Sequence, residues 1–233
     1  MINEIHSGIP AFGQIDLEFA RKYDASHAEY YFHKHQDGLA RRLSNRREIN
    51  IARRALALAG NPLAVLDLPC GAGRFWPMLL ENPNRHLIAA DNSQDMLDVA
   101  LKYRADRQVA RVQTIKTSAF AIDLPDGAVD SVFCIRLLHH IGNSLNRQIM
   151  LREFYRVAKE SLVISLWVGG NFKAWKRKRL EARRGVKIGD YQNRFVIDKQ
   201  TIESEFRQAG FAIAGWFDFI PGYAMWRVYV LKK

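Results

Sequence analysis

The feature that most constrains the fold is an alternation of β-rich runs with amphipathic helical patterns from about residue 46 onwards. The helical patterns are long enough to act as crossovers, which is typical of a mostly parallel sheet in an α/β domain. Ser93 is the predicted N-cap of the second helix. The five strand predictions are residues 63–68, 85–91, 109–115, 129–135 and 161–167, and the helical patterns cover residues 74–82, 93–105 and 146–159.

Two further strand-like runs, residues 211–220 and 223–233, end the chain and are separated only by a Pro221-Gly222 turn signal. That spacing leaves no room for a crossover helix, so these runs are predicted to pair as an antiparallel hairpin. The predicted fold class is therefore α/β, a doubly wound, seven-stranded, mostly parallel sheet with an antiparallel C-terminal hairpin strand. Residues 46–233 are predicted to form one domain, which suits a chain of 233 residues.

Composition excludes several other classes of protein. The chain is 48% hydrophobic and 25% charged, as globular proteins are, and its longest apolar run is too short to cross a bilayer. The N-terminal residues lack the pattern of a secretion signal, so we expect a cytoplasmic protein. Cys70 and Cys134 cannot form a disulfide framework and have no metal-ligand spacing. No metal site is predicted, and His27, His33 and His35 lack the spacing of a known one.

The sharpest motif is a glycine turn that follows the first strand, VLDLPCGAGRF over residues 65–75. Gly71 and Gly73 allow the backbone to turn tightly and to approach a ligand closely. Asp91 ends the second strand twenty residues after Gly71, where an acid can accept hydrogen bonds from both hydroxyls of a ribose. Together these residues indicate a cofactor that carries a nucleoside.

Nicotinamide dinucleotides use the same strand, turn and acid, but their fingerprint needs a third glycine where this chain has Trp76. The chain instead resembles the class I S-adenosylmethionine (SAM)-dependent methyltransferases, in particular the small-molecule branch whose first motif reads roughly DxGCGxG. The resemblance covers about residues 48–168 and, more loosely, residues 195–233. It includes a Leu-His-His run, RLLHHI, after the fourth strand and an AGF at residues 209–211 before the sixth.

The resemblance implies SAM as the cofactor and gives individual residues a role. Asp67, Gly71 and Gly73 match the positions that hold the methionine moiety, and Asp91 matches the ribose acid. Pro69 replaces the first glycine of the motif, and Ser118 stands where the family usually has an acid for the adenine amino group. The other predicted cofactor-binding residues are Asn92 and Met96, beside the adenine, and Ala119 and Phe120, next to Ser118 in the adenine-side loop.

Candidate catalytic residues follow the fourth strand, at the edge where ligands bind in open α/β sheets. His139 or His140 can act as a base if the acceptor is a hydroxyl, because an imidazole titrates near neutrality. The alternative is that the two histidines only start a helix or form local hydrogen bonds. Arg136 either meets an acidic acceptor or is a surface or ion-pair residue. The Asn/Asp-Pro-Pro-aromatic motif of the family's amino-group methylases is missing here, which disfavours adenine-N6 chemistry.

Two additions flank the predicted domain core. Residues 1–45 are predicted to form a lid over the cofactor and acceptor, with Tyr23, Tyr30 and Tyr31 as aromatic lining. Residues 169–198 form a basic insertion that carries six of the eleven net positive charges of the chain. Within it, residues 172–184 place Trp175 and other apolar side chains at near-helical spacing among Lys and Arg. This segment is expected to contact a membrane surface, a nucleic acid or the substrate, or else to be a solvated charged face.

The sequence therefore predicts a SAM-dependent methyltransferase that acts on a small or lipid-linked acceptor, which the net charge of +11 suggests is anionic. Two alternatives stay open. One is a methyltransferase for RNA or another nucleic acid, which the charge favours although no recognised RNA-binding module is present. The other is a non-catalytic protein of the same fold that binds a ligand without turnover.

Overall fold

A computed structural model describes residues 38–184 and 194–233 of the chain. The sheet that they form contains seven strands: β1 Ala64–Asp67, β2 His86–Asp91, β3 Val112–Lys116, β4 Val129–Cys134, β5 Ala158–Trp167, β6 Ala212–Asp218 and β7 Trp226–Lys232. The α-helices of the described residues are α1 Leu39–Leu58, α2 Trp76–Leu79, α3 Gln94–Tyr103, α4 Asp106–Val109, α5 Ser144–Val157, α6 Phe172–Arg184 and α7 Lys199–Gln208, and a 3-10 turn spans Leu138–His140.

The strands lie in the order β3-β2-β1-β4-β5-β7-β6. The first five run parallel to one another, whereas β7 is antiparallel to both β5 and β6. The predicted fold class is therefore confirmed. The carboxyl ends of β1, β2, β4 and β5 meet along one edge of the sheet, called the carboxyl edge below. Because Trp167 pairs with Trp226, β7 begins at this same edge.

Alternating strand residues divide the hydrophobic core into two layers, one on each face of the sheet. On one face Leu66 and Val132 pack with side chains of α5 and α7. On the other face Val65 and Phe133 pack with side chains of α1, α2 and α3. The sheet is thus covered by helices on both faces, which leaves its edges as the places where a ligand can reach the strand ends.

Capping residues explain where several helices begin. The hydroxyl of Ser93 accepts a hydrogen bond from the backbone N–H of Met96, which confirms the predicted cap of α3. The Asp198 carboxylate caps α7 by accepting from two backbone N–H groups. Helix α7 was missing from the sequence prediction, although Asp198 followed by an amphipathic run is the usual signal for a helix start.

Three predicted boundaries need correction. The helix predicted over 74–82 is a single turn, Trp76–Leu79, because the residues before it are used by the glycine turn. The strand predicted from residue 109 begins at Val112, since α4 occupies residues 106–109. Helix α1 runs through the predicted boundary at residue 45 without a break. Within the described segments no helix is long and apolar enough to cross a membrane.

Candidate active site

The glycine turn follows β1 and contacts the carboxyl end of β2. Gly71 and Gly73 have φ values of 51° and 66°, a conformation that side chains with a Cβ rarely adopt. The N–H of Gly71 donates to Asp91 Oδ2 at 2.9 Å, and the N–H of Cys70 donates to the carbonyl of Ala90 at 2.8 Å. The structure therefore brings together the turn and the acid that the sequence predicted as a cofactor site. Pro69, which opens the turn, follows a cis peptide bond.

The Trp76 side chain packs against the turn at Gly73. Its side chain is fully buried, and a Cβ added to Gly73 would lie 2.8 Å from the indole ring. The bulky residue that argues against a dinucleotide fingerprint thus has a structural role of its own, because its ring occupies the space next to Gly73. Gly73 is required both by its φ value and by the position of this ring.

Two buried carboxylates, Asp67 and Asp91, lie at this end of the sheet. Burial raises the pKa of Asp67 well above its ordinary value, the charge of Asp91 raises it further, and Trp76 lowers it by less. Burial also raises the pKa of Asp91, while backbone N–H groups including those of Ser93 and Gly71 lower it. Asp67 Oδ2 is buried and has no hydrogen-bond partner of ordinary geometry among the described residues. Such a pair favours a bound cation, because a positive charge would stabilise both ionised acids.

The residues predicted beside the adenine have different environments. Asn92 is exposed at the start of α3, whereas Met96 is buried against Ala72 and Val99 behind the glycine turn. Met96 therefore supports the turn from the side of α3. Asn92 is exposed and can therefore be reached by a ligand.

The predicted adenine-side loop follows β3 and folds back on itself. The hydroxyl of Ser118 accepts a hydrogen bond from the N–H of Phe120 at 3.2 Å, and Ala119 and Phe120 are buried. Thr117, which the sequence prediction missed, holds this loop in place. Its N–H donates to the carbonyl of Asp91 at 3.0 Å, and its hydroxyl donates to the carbonyl of Ala121 at 3.1 Å.

A buried ion-pair cluster ties α1 to the carboxyl edge. The Glu48 carboxylate accepts two hydrogen bonds from Arg136, at 2.8 and 2.7 Å, and one from Arg74 at 2.6 Å. Burial alone would raise the pKa of Glu48, but the charges and hydrogen bonds of Arg136 and Arg74 outweigh it and lower the pKa to about 2. Arg136 thus forms an ion pair with Glu48, which is one of the roles predicted for it. The Nη1 atom of Arg74 is buried beside the glycine turn and has no hydrogen-bond partner among the described residues.

His139 lies in an aromatic cluster at the ends of β4 and β5. Its side chain is 3% exposed, stacks on Trp167 at a centroid distance of 5.2 Å, and meets the edge of Trp226 at 4.7 Å. Burial lowers the pKa of His139 well below its ordinary value, and the charges of His140, Arg194 and Arg136 lower it further. His139 is thus neutral at physiological pH. Its Nδ1 atom is buried without a hydrogen-bond partner in the described part of the chain.

Arg194 is a basic residue of this cluster that the sequence prediction did not single out. Its guanidinium lies 5.9 Å from the Trp167 ring centroid, and that of Arg177 lies 5.4 Å away. Arg177 is paired with Glu181, whereas Arg194 has no ion pair with a described carboxylate. Arg194 also lines a cavity of about 820 Å³ between α6 and residues 194–198. Only the tertiary fold could reveal this residue, because no motif marks it.

The remaining predicted residues fall into two groups. Tyr23, Tyr30 and Tyr31 of the predicted lid, and the three N-terminal histidines, lie outside the described residues. Trp175 is exposed on α6, where its ring contacts are with Phe172 and Arg179 and where it lines the same cavity as Arg194. In the described residues, no group of three or more His, Cys, Asp or Glu side chains is placed to hold a metal ion.

Both cysteines are buried as free thiols. Burial raises the pKa of each well above its ordinary value, and the charge of Asp67 raises both further. A thiol in this environment is a poor nucleophile, because the reactive form is the thiolate.

The strand order and the helices on both faces form a Rossmann-like fold, in which the glycine turn and the acid at the end of β2 lie at the carboxyl edge. Residues 65–161 match the family model described as a methyltransferase domain. Magnesium protoporphyrin IX methyltransferase from Synechocystis, solved with bound SAH, aligns with a TM-score of 0.71 at 16% identity, over 92% of this chain and 97% of that one. At that identity the alignment shows a shared fold.

Relatives that match in sequence include two further methyltransferases. An uncharacterized methyltransferase of Schizosaccharomyces pombe is 34% identical over 133 residues, which cover 55% of this chain and 49% of the relative. Demethylmenaquinone methyltransferase of Thermus thermophilus is 34% identical over 124 residues, which cover 52% of this chain and 54% of the relative. The chain thus spans about half the length of these relatives.

Proposed function

We propose that this protein is a SAM-dependent methyltransferase that acts on a small or lipid-linked anionic acceptor. The observation that carries the proposal is the pair of buried acids, Asp67 and Asp91, beside a glycine turn at the carboxyl edge. The domain match and the methyltransferases among the relatives support methyl transfer as the reaction. When bound, SAM supplies an electrophilic methyl group to the acceptor.

The residues at the turn fit the chemical groups of this cofactor. Among the described residues, neither Asp67 Oδ2 nor Arg74 Nη1 has a hydrogen-bond partner of ordinary geometry; the first suits an ammonium group and the second a carboxylate. Asp91 can accept hydrogen bonds from ribose hydroxyls on the lone pairs that Gly71 and Ser93 leave free. Gly71 has no side chain and is only partly buried, so a ligand can approach the backbone there, whereas the space beside Gly73 is filled by the Trp76 ring.

We propose that the acceptor binds at the aromatic cluster formed by His139, Trp167 and Trp226. Nδ1 of the neutral imidazole has no hydrogen-bond partner in the described chain and can accept a hydrogen bond from an acceptor hydroxyl; because its pKa is lowered well below the ordinary value, His139 would be a weak general base. Arg194, a guanidinium with no carboxylate partner in the described chain, can bind an anionic group of the acceptor. The rings of Trp167 and Trp226 exclude water from this region, which strengthens both interactions.

The cofactor part of the proposal is tested by calorimetric titration with SAM. Asp91→Asn is expected to weaken binding about ten- to a hundredfold, in line with the loss of hydrogen bonds to a charged group. Asp98→Asn is the matched control, because Asp98 is exposed on the adjacent helix α3 and should leave the affinity unchanged. Equal affinities of the two variants would show that the ribose does not lie at Asp91.

The acceptor part is tested by transfer of a radiolabelled methyl group to fractions of a cell extract. We expect transfer to a small or lipid-soluble anionic fraction, and its loss in His139→Gln and Arg194→Ala under conditions where both variants still bind SAM. Saturable SAM binding without transfer to any fraction would favour a non-catalytic binding protein. Transfer to RNA, with RNA binding that weakens steeply with salt, would favour the nucleic-acid alternative.

A further inference from the structure

Four large side chains stand out from the surface where α6 begins and the β6–β7 turn ends. Phe172 is 48% exposed, Trp175 55%, Tyr223 44% and Ile220 41%. The Phe172 and Tyr223 rings stack at a centroid distance of 5.7 Å, and Trp175 lies 5.8 Å from Phe172. The backbone N–H of Phe172 donates to the carbonyl of Gly222 at 2.9 Å, which fixes the helix to the turn. We call the four side chains the apolar patch.

Cationic side chains continue from the apolar patch along the exposed side of α6. The single acid of this helix, Glu181, is partly buried and forms an ion pair with Arg177 at 3.0 Å. The exposed side of the helix therefore carries positive charge without a compensating acid of its own. Its exposed cations are Lys173, Lys176, Lys178, Arg179 and Arg183.

We propose that the apolar patch and the cations of α6 dock this protein on an anionic lipid surface. Aromatic side chains are favoured at a membrane interface, where their rings reach the boundary between headgroups and acyl chains. Lysine and arginine next to them are attracted to anionic headgroups. The charge of α6 is complementary to such a surface, and backbone hydrogen bonds from Phe172 and Lys173 to the β6–β7 turn hold the rings of Phe172, Trp175 and Tyr223 together.

The ring contacts favour a lipid surface over a nucleic acid. Binding of single-stranded nucleic acid relies on bases that stack on open aromatic faces. Here Tyr223 is stacked on Phe172 and has the Lys173 ammonium 5.2 Å from its ring centroid. The Arg179 guanidinium lies 5.4 Å from the ring centroid of Trp175. The protein's own side chains thus occupy faces of these rings, whereas insertion between headgroups requires only their apolar edges.

Docking through this patch would turn the carboxyl edge of the sheet towards the lipid. The β6–β7 turn and the start of α6 lie at that edge, because Trp226 pairs with Trp167 at the end of β5. His139 contacts both of these tryptophans. Access of a lipid-linked acceptor to His139 rests on the proposed function, whereas docking itself does not.

The experiment measures co-sedimentation of the full chain with vesicles, in the absence of SAM. We expect binding to vesicles of phosphatidylcholine mixed with phosphatidylglycerol, and little binding to phosphatidylcholine alone. Lys176→Ala with Arg179→Ala should lower the partition coefficient about 25-fold, since each cation contributes about fivefold near an anionic surface. The matched control is Arg107→Ala with Arg152→Ala, which removes two exposed cations on other helices and should have a much smaller effect.

Quenching of tryptophan fluorescence by brominated lipids tests the apolar patch. The quenching is expected to fall in Trp175→Phe and to persist in Trp216→Phe, because Trp216 is also exposed, at 46%, but lies on the edge strand β6. Absence of binding to the mixed vesicles, or equal effects of the helix α6 and control variants, would overturn the proposal. RNA binding that depends on Lys176 and Arg179 while vesicle binding does not would also overturn it. Because these assays need no methyl transfer, their outcome is independent of the proposed activity.

Discussion

The buried Glu48 carboxylate is paired with two guanidinium groups. Replacing Glu48 by glutamine should lower the free energy of unfolding by an amount that follows from the pKa shift of this carboxylate. The pKa falls from an ordinary value of 4.5 to about 2 in the folded protein. This difference corresponds to about 3 kcal/mol of stability. Because the folded-state pKa is depressed, that stability is fully present above pH 4.5 and is lost as the pH falls towards 2.

Urea unfolding of the wild type and of Glu48→Gln at two pH values measures this contribution. At pH 7 the variant should be less stable by about 3 kcal/mol. At about pH 3.5 the difference should shrink to about 2 kcal/mol, because the carboxyl of the unfolded chain is then mostly protonated. Other acids titrate in both proteins, so their effects cancel in the difference.

Glu81→Gln provides the matched control, because Glu81 also pairs with an arginine but does so in solvent. The Arg53 and Glu81 side chains are 47% and 49% exposed, and such a surface pair contributes less than about 1 kcal/mol. A Glu48→Gln effect as small as that of Glu81→Gln, or one that does not change between the two pH values, would refute the reasoning.

Three further predictions concern the turn and its neighbours. Gly73→Ala should lower the free energy of unfolding by about 1–3 kcal/mol in urea titrations, because the new Cβ would meet the Trp76 ring at 2.8 Å at a φ of 66°. SAM affinity should increase as the pH rises through the raised pKa of Asp67, since the ionised carboxylate attracts the cationic cofactor; calorimetry should show a flatter pH profile for Asp67→Asn. Native Cys70 and Cys134 should react with a maleimide far more slowly than the denatured chain does, and rapid labelling would contradict the burial described for both thiols.

Local sequence patterns predicted much of the sheet. Hydrophobic runs of strand length located β1, β2, β4 and β5 to within a few residues, because buried parallel strands read as continuous apolar segments. The turn at Gly71 and Gly73 and the cap at Ser93 were also predictable, since each depends on residues only a few positions apart. The hydrogen bond from Gly71 to Asp91 shows that the turn and the acid lie together, and their role in binding a nucleoside stays a prediction.

Contacts between distant parts of the chain could not be predicted in this way. Glu48 and Arg136 are 88 residues apart and meet only because α1 packs across the carboxyl edge. Arg194 becomes a candidate for anion binding because residues 194–198 return to β5, where Ile197 pairs with Val168. No periodicity or motif in the sequence indicates such a long-range contact, so only the folded structure shows it.

The position of β7 between β5 and β6 has a consequence for how the protein is made. Residues 226–232 form the last strand in the sequence, yet this strand lies between β6 and the rest of the sheet. During synthesis on the ribosome, β6 leaves the exit tunnel before the strand to which it must bond. The sheet can therefore close only after Trp226–Lys232 has emerged, and a nascent chain stalled before this point would expose an unpaired strand and invite aggregation.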